Sequence, residues 1–345
     1  MPRTISILPA ISTWPSSAES IEARLAHHLA LLRGSDHLGS DSGPWRDAAA
    51  GRLKRRAQRL HEARQRASGL AHLDDRQRAR LAGILQGARL AGPESVHGAD
   101  EIGAALAEDL PWMSAATVPL WHDLRASTGV GTGRLIRPTL LVGPPGLGKS
   151  HLARSLAHHA GLPLAIADLG AAGEAFQIAG LSRGWRSGMP GLPVETVITS
   201  GMANPLILVD ELEKAAAVES TAGHRTSAHA VLLGLLDPAS AALWTCPYFG
   251  IRFDMSRVNW LFTANDTRGI PAPLLSRLRI ARLQPLTPEQ LAGFALQEAS
   301  ARGLEREEAE GLANLLRGLH PGRGADLRLV LGLLDDLRLE APLLH

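Results

Sequence analysis

Residues 140–157 read LLVGPPGLGKSHLARSLA, an apolar run followed by a glycine-rich turn and a helical pattern. Gly143, Gly148, Lys149 and Ser150 stand in the spacing G-x-x-x-x-G-K-S, between the predicted strand and the predicted helix. Glycines in such a turn let backbone N–H groups close around phosphate oxygens, and the start of the helix adds its positive dipole end. The stretch therefore predicts a phosphate-binding loop rather than a chance glycine-rich turn.

The chemistry of this loop predicts ATP and Mg²⁺ as its ligands. Lys149 is expected to reach the β- and γ-phosphates, and the Ser150 hydroxyl is expected to bind Mg²⁺. The predicted nucleotide-binding residues of the loop are Gly143, Pro144, Pro145, Gly146, Leu147, Gly148, Lys149, Ser150 and His151.

Short apolar runs bounded by turn residues alternate with helical stretches from about residue 137 to 285. The runs are PTLLVG, PLAIADL, PLILVD and VNWLFTAN. This alternation predicts an α/β fold with a mainly parallel sheet flanked by helices. Helical patterns dominate before and after it. We expect a mainly helical N-terminal region at 1–127, an α/β nucleotide-binding domain at 128–285 and a small helical lid domain at 286–345.

Acidic residues follow the third of these apolar runs in PLILVDELEK, residues 205–214. The carboxyl ends of parallel strands line the ligand crevice of an open sheet. Asp210 is therefore expected to help hold Mg²⁺, and Glu211 to polarise the attacking water. Two adjacent acids after a strand are by themselves more often a solvated turn, and the upstream phosphate-binding loop favours the catalytic interpretation.

Two further polar residues are candidates for the same reaction. Asn265 ends the strand in VNWLFTANDT and could orient water against the γ-phosphate, although a capping asparagine in a turn is the commoner use. Arg277, in IPAPLLSRLRIARL, could act as an arginine finger on a neighbouring subunit's nucleotide. A surface arginine is the plain alternative.

These features, in this order and followed by a helical lid, resemble an AAA+ ATPase. More narrowly, residues 137 to 285 resemble the ATPase module of the Lon proteases. The stretches that carry the resemblance are LPWM, LVGPPGLGKSHLARSLA, SRGWRSGMPG, NPLILVDELEK, LLGLLDP, PYFGIRFDMSRVNWLFTAN and IPAPLLSRLRI. The resemblance implies a homo-oligomer, a hexameric ring, acting on protein substrates.

SRGWRSGMPG, residues 182–191, occupies the position of the first pore loop in Lon-like ATPases. The resemblance implies that Trp185 grips unfolded polypeptide in a central channel, where a large rigid face can contact many side chains. The alternative is that Trp185 packs on the surface of its own domain.

The sequence departs from the Lon pattern at three places. No stretch after the lid supplies a peptidase Ser–Lys dyad, so we expect no proteolysis by this chain itself. The motif that contacts adenine is not recognisable in RASTGVGTGRL, residues 125–135. The lid arginine called sensor 2 is either Arg323 or Arg328.

Composition limits the compartment and the partners. Hydrophobic residues make up 45% and charged residues 20% of the 345 residues, with a net charge of +2. No apolar run approaches the ~18 residues that span a bilayer. Cys246 is the single cysteine, which excludes an intrachain disulfide and fits a reducing compartment. We expect a cytoplasmic protein without membrane contact.

Residues 46 to 80 carry eleven Lys or Arg against four Asp or Glu. This segment could bind nucleic acid. A solvated helix face is favoured, because no aromatic residue interleaves the arginines to stack on bases. The leading hypothesis is thus an ATP-driven motor that remodels or unfolds proteins. The alternatives are a nucleic-acid-associated AAA+ ATPase and a slow nucleotide-dependent assembly switch.

Overall fold

The computed structural model describes residues 3–8, 16–33, 44–130, 133–169, 174–183, 188–215, 217–219, 225–319 and 326–340. The N-terminal region is mainly helical and also contains one pair of short strands. Its elements are β1 (Thr4–Ile5), α1 (Ala18–Arg33), α2 (Pro44–Ala67), α3 (Asp75–Leu81), β2 (Ala88–Arg89), α4 (Val96–Asp109) and α5 (Ser114–Val130).

The β1–β2 pair was not expected from the sequence. The strands are antiparallel, with Thr4 opposite Arg89 and Ile5 opposite Ala88. Each strand has two residues, which is too short to show any hydrophobic period. The pair attaches the start of the chain to the rest of the molecule, and Ile7 and Leu8 are buried just after it.

The central part of the chain alternates strands and helices. Its elements are β3 (Thr139–Val142), α6 (Lys149–His159), β4 (Leu164–Asp168), α7 (Glu174–Ala179), β5 (Gly180–Leu181), β6 (Met189–Pro190), α8 (Leu192–Ser200), β7 (Leu206–Asp210), β8 (Ala217–Glu219), β9 (Arg225–Ser227), α9 (Ala228–Leu236), α10 (Pro238–Ala241), β10 (Trp244–Cys246), β11 (Ile251–Phe253), β12 (Asn259–Ala264), α11 (Ala272–Leu275) and β13 (Arg279–Arg282).

Five of these strands form one parallel sheet in the order β13-β3-β12-β7-β4. All residues of β3 and β12 are buried, as expected for central parallel strands covered on both faces. Val142 lies opposite Ala264, and Phe262 lies opposite Val209. The carboxyl ends of β3, β12 and β7 therefore lie side by side at one edge of the sheet.

The last part of the chain is helical, with α12 (Pro288–Ala301), α13 (Arg306–Arg317) and α14 (Leu327–Glu340). Thr287 caps α12 in a capping box with Gln290, a pairing that this spacing of residue types favours. The Gln290 backbone N–H donates to the Thr287 hydroxyl at 3.2 Å, and the Thr287 N–H donates to the Gln290 side chain at 2.9 Å. Leu291, Leu316 and Leu334 belong to a buried cluster formed among these helices.

The predicted α/β core, with a parallel sheet and helical regions on both sides, is confirmed. The boundaries at 127/128 and 285/286 stay predictions. Leu70, Leu81 and Ile84 of the N-terminal region share one buried cluster with Leu140 and Ile207 of the sheet. Among the described helices, none combines the length and the apolar character needed to cross a bilayer.

Candidate nucleotide site

The loop between β3 and α6 has the backbone that its glycines allow. Gly146 has φ +77° and Gly148 has φ +89°, the left-handed region that residues with a Cβ rarely adopt. Gly148 is the residue directly before α6. The helix therefore begins at Lys149 with its first N–H groups at the loop, which is the arrangement that binds phosphate.

Lys149 lies inside this loop. Its ammonium donates to the carbonyls of Gly143 and Pro144 and, at 3.3 Å, to Oδ1 of Asn265. Burial lowers the pKa of Lys149, and the negative charges of Glu213 and Asp210 oppose that shift. The two predicted residues Lys149 and Asn265, 116 positions apart, thus meet in the folded chain.

Asp210 ends β7 and joins the loop to the neighbouring strand. The Ser150 hydroxyl donates to Asp210 Oδ2 at 3.1 Å, and the Thr263 hydroxyl donates to Asp210 Oδ1. Ser150 and Asp210 form the all-oxygen donor pair that Mg²⁺ prefers, because this ion takes one or two side chains and completes its shell with phosphate and water. Among the described residues, no group of three or more His, Cys, Asp or Glu forms a metal site of its own.

Glu211 follows with φ +56°, the only positive φ of a non-glycine residue in the described chain. Its backbone N–H donates to the Thr263 hydroxyl at 3.1 Å. The Lys214 ammonium donates to the Glu211 carboxylate at 2.8 Å. Strained backbone of this kind is concentrated at functional sites, where the surrounding contacts hold it.

These residues border a cavity of about 560 Å³ at the carboxyl edge of the sheet. This volume is within the usual range for small-molecule sites, about 300–1,000 Å³. The predicted residues among its lining are Pro145, Gly146, Gly148, Lys149, Ser150, His151, Asp210, Glu211, Asn265 and Arg328. Leu147 is buried beneath the loop.

The lining also includes residues that the sequence did not reveal: Arg154, Glu213, Thr263, Phe294, Glu298, Leu327 and Leu331. Phe294, Leu327 and Leu331 come from the lid helices α12 and α14. Nothing in the local sequence marks them, because their position depends on how the lid packs. One feature of the sequence could have indicated Glu213: it is an acidic residue two positions after Glu211.

The lid contacts the loop directly. The Leu327 N–H donates to the Gly146 carbonyl at 3.0 Å. Trp112, from LPWM, donates its indole N–H to the Leu147 carbonyl at 3.0 Å and packs edge-on against Phe294 at 5.6 Å between ring centroids. The segment 110–113 thus joins the phosphate-binding loop to the lid.

Arg277 lies elsewhere in the molecule. Its guanidinium donates to the Leu233 carbonyl at 3.0 Å. It lines a separate cavity of about 610 Å³ together with Arg134, Arg137 and Arg279. The structure therefore does not bring Arg277 to the nucleotide cavity of its own chain.

Two predicted residues lie outside the described residues, Trp185 and Arg323. The strands on either side of Trp185 are described: β5 and β6 pair antiparallel, with Leu181 opposite Met189. Of the two sensor 2 candidates, Arg328 lines the nucleotide cavity. Its assignment as sensor 2 stays a prediction.

Comparison with known proteins finds a family match for the part of the chain that contains this site. Residues 139–286 match the model of the ATPase family associated with various cellular activities (AAA). The matched stretch includes the phosphate-binding loop and the strand ends that border the cavity described above.

Over about half of its length the chain is also similar to Lon proteases. The chain is 36% identical over 190 residues to the Lon protease of Magnetococcus marinus, and 30% identical over 219 residues to that of Salinispora arenicola. These matches cover 50% and 63% of this chain but 23% and 27% of the relatives. The chain thus spans about a quarter of the length of these relatives.

A solved structure shows the same fold at lower sequence identity. The closed state of Hsp104 with ATPγS and casein matches 81% of this chain and 50% of that chain, with a TM-score of 0.53 and 16% identity.

Proposed function

We propose that this protein is an ATP-hydrolysing AAA+ motor that remodels or unfolds protein substrates. The carrying observation is the convergence of Lys149, Ser150, Asp210, Glu211 and Asn265 around one cavity. These residues come from three separate strand ends, and in combination they suit phosphoryl transfer to water.

In this proposal each residue acts on a different part of the nucleotide. Loop N–H groups and Lys149 bind the β- and γ-phosphates, and Ser150 and Asp210 hold Mg²⁺, which neutralises charge on the phosphate oxygens. Glu211 accepts a proton from the attacking water, and Asn265 orients that water. Phe294, Leu327 and Leu331 provide an apolar wall against which the adenine ring of the nucleotide packs.

The first test is ATP hydrolysis by the parent, Lys149→Ala and Glu211→Gln, each with unfolded casein, with DNA and with neither. Lys149→Ala should lose productive ATP binding, because the phosphate charge loses its fixed counter-charge. Glu211→Gln should bind ATP and stall, since only water activation is lost. Equal turnover in Glu211→Gln and the parent would remove Glu211 from the mechanism.

We further propose that the protein forms a hexameric ring in the cytoplasm. In this ring Trp185 contacts the polypeptide substrate. Two observations support this role. SRGWRSGMPG resembles a pore loop, and in the sequence Trp185 lies between the paired strands β5 and β6. Trp185→Ala should keep basal hydrolysis and lose stimulation by unfolded casein, whereas Trp185→Tyr should keep both. Early melting of Trp185→Ala with loss of basal activity would indicate a packing residue instead.

A second candidate function is binding of nucleic acid by α2. Seven basic side chains of this helix are exposed: Arg52, Lys54, Arg55, Arg56, Arg59, Arg64 and Arg66. Only Arg66 among them has an ion pair in the described chain, at 3.6 Å from Glu62. Salt-sensitive DNA binding that Arg55→Glu with Arg56→Glu abolishes would favour this function. Normal assembly with negligible turnover would instead favour a nucleotide-dependent switch.

A further inference from the structure

Glu213 lies in the nucleotide cavity without a role in the mechanism above. It belongs to a short helical turn, Leu212–Lys214, directly after Glu211. Leu212 is fully buried and anchors the turn, and the Lys214 side chain is half-exposed. The position of Glu213 is therefore set by the core and not by solvent.

One carboxylate oxygen of Glu213 holds the end of β12. The backbone N–H of Asn265 donates to Glu213 Oε1 at 2.9 Å. Asn265 is the first residue after β12, and its own side chain accepts a hydrogen bond from Lys149. Contacts therefore run from Glu213 through Asn265 to Lys149.

The other carboxylate oxygen, Oε2, is buried and has no hydrogen-bond partner among the described residues. A buried unpaired carboxylate oxygen costs free energy, and a neutral amide could accept the Asn265 N–H equally well. A carboxylate at a position where an amide would serve the Asn265 N–H as well therefore points to a second use. Lys149 is a cation on the wall of the same cavity, and its ammonium contacts the side chain of Asn265, whose N–H Glu213 holds.

We propose that Glu213 is a further positioning residue of the hydrolytic site, which sets Asn265 through its backbone N–H and serves as counter-ion of Lys149 until phosphate arrives. This inference rests on the proposed ATPase function. It divides into a geometric part, which acts on turnover, and a charge part, which acts on ATP affinity. The two parts can be measured separately.

The geometric part is tested with Glu213→Ala and Glu213→Gln, each in the parent and in Asn265→Ala. Glu213→Ala should lower kcat on the order of 10²-fold, the effect of a small misplacement in an active site. Glu213→Gln should keep most of kcat, because its amide oxygen still accepts the N–H. In the Asn265→Ala background, Glu213→Ala should cost no further kcat, although its effect on melting temperature should persist.

The matched control is Asp266→Asn, which removes a negative charge one residue from Asn265 while leaving the Asn265 N–H bonded. Asp266 instead pairs with Arg268 at 2.6 Å, and we expect parental kcat. Equal losses of kcat from Glu213→Ala in both backgrounds, or parental kcat in Glu213→Ala alone, would overturn the positioning role.

The charge part is tested by titrating ATP without following hydrolysis. Glu213→Gln should bind ATP severalfold more tightly than the parent, because no carboxylate then competes with phosphate for Lys149. Unchanged or weaker binding would overturn the counter-ion role. A parent that binds ATP without hydrolysing it would overturn the proposed function, and this affinity comparison would still decide the role of the Glu213 charge.

Discussion

At the scale of single residues, Gly146 has two reasons to be glycine. Its φ of +77° lies in the left-handed region, and a Cβ there would lie 2.0 Å from Asp326 Oδ2 in the lid. Left-handed backbone costs a residue with a Cβ roughly 1–2 kcal/mol. The glycine is therefore needed both for the shape of the loop and for the approach of α14.

Gly146→Ala should therefore weaken ATP binding by about tenfold, because a backbone strain of roughly 1–2 kcal/mol corresponds to about that change in the dissociation constant. The measurement is the ATP dissociation constant by titration. Gly311→Ala is the matched control, because Gly311 lies within α13 with open space around it. That change should leave ATP affinity alone and stabilise the helix slightly. Parental affinity in Gly146→Ala would show that ATP binding does not depend on the left-handed backbone at this position.

At the scale of elements, Asp123 of α5 joins two parts of the sheet. Its carboxylate accepts hydrogen bonds from Arg279 of β13 at 2.7 Å and from the Arg137 side chain and N–H at 3.1 and 2.9 Å. Burial alone would raise the pKa of Asp123, but these hydrogen bonds outweigh it and hold the pKa below its usual 3.8. The folded protein therefore favours the ionised form more than the unfolded chain does.

A lowered folded-state pKa stabilises the fold above the unfolded value of about 4, and this contribution is lost as pH falls through the folded value. Asp123→Asn should be less stable at neutral pH, and its loss of stability below pH ~4 should be shallower than the parent's. Denaturant midpoints between pH 3 and 7 measure this, with exposed Asp336→Asn as control. Parallel curves for Asp123→Asn and the parent would contradict the assignment.

Trp112 is a second link between elements, because it contacts both the phosphate-binding loop and α12. Trp112→Phe removes one hydrogen bond and should cost about 1 kcal/mol of unfolding free energy. It should also weaken ATP binding, since the bond ends on the loop itself. Trp121→Phe is the matched control: Trp121 donates to Asp100 at 2.7 Å, away from the loop. Weakened ATP binding in both variants would indicate a general loss of stability.

At the scale of the whole molecule, the proposed role of Arg277 is in trans, on the nucleotide of a neighbouring chain. It lies outside the nucleotide cavity of its own chain and borders a groove with other arginines. An arginine supplied in trans is worth roughly 10³–10⁵ in rate in related chemistry. In the proposed ring, activity per chain should therefore rise with protein concentration as chains assemble.

Mixing Arg277→Ala chains with Lys149→Ala chains should restore part of the activity that each lacks. Some interfaces then pair an intact arginine with an intact phosphate-binding loop. The measurement is ATP turnover of the mixture beside each variant alone, with assembly of mixed rings checked independently. The absence of recovery in such rings would argue against a finger in trans.

Much of the site was predictable because its chemistry is local in the chain. The turn from Gly143 to Ser150 needs a particular backbone conformation, and the glycines at fixed spacing in the sequence indicate that conformation. Asp210 and Asn265 follow buried strands, and parallel strands bring their carboxyl ends to one edge. The sheet, its polar edge and the capped helix at Thr287 could therefore be inferred from residue patterns.

The sequence by itself determined the phosphate-binding loop, the parallel α/β core and the acidic strand end, because each depends on residues within a few positions of one another. Only the tertiary structure decided which lid side chains border the candidate nucleotide cavity, that Arg277 lies away from that cavity, and that Glu213 holds Asn265. These contacts join residues 44 or more positions apart or depend on helix packing. No local periodicity of the sequence predicts these contacts, because burial and hydrogen-bond partners depend on the fold of the whole chain.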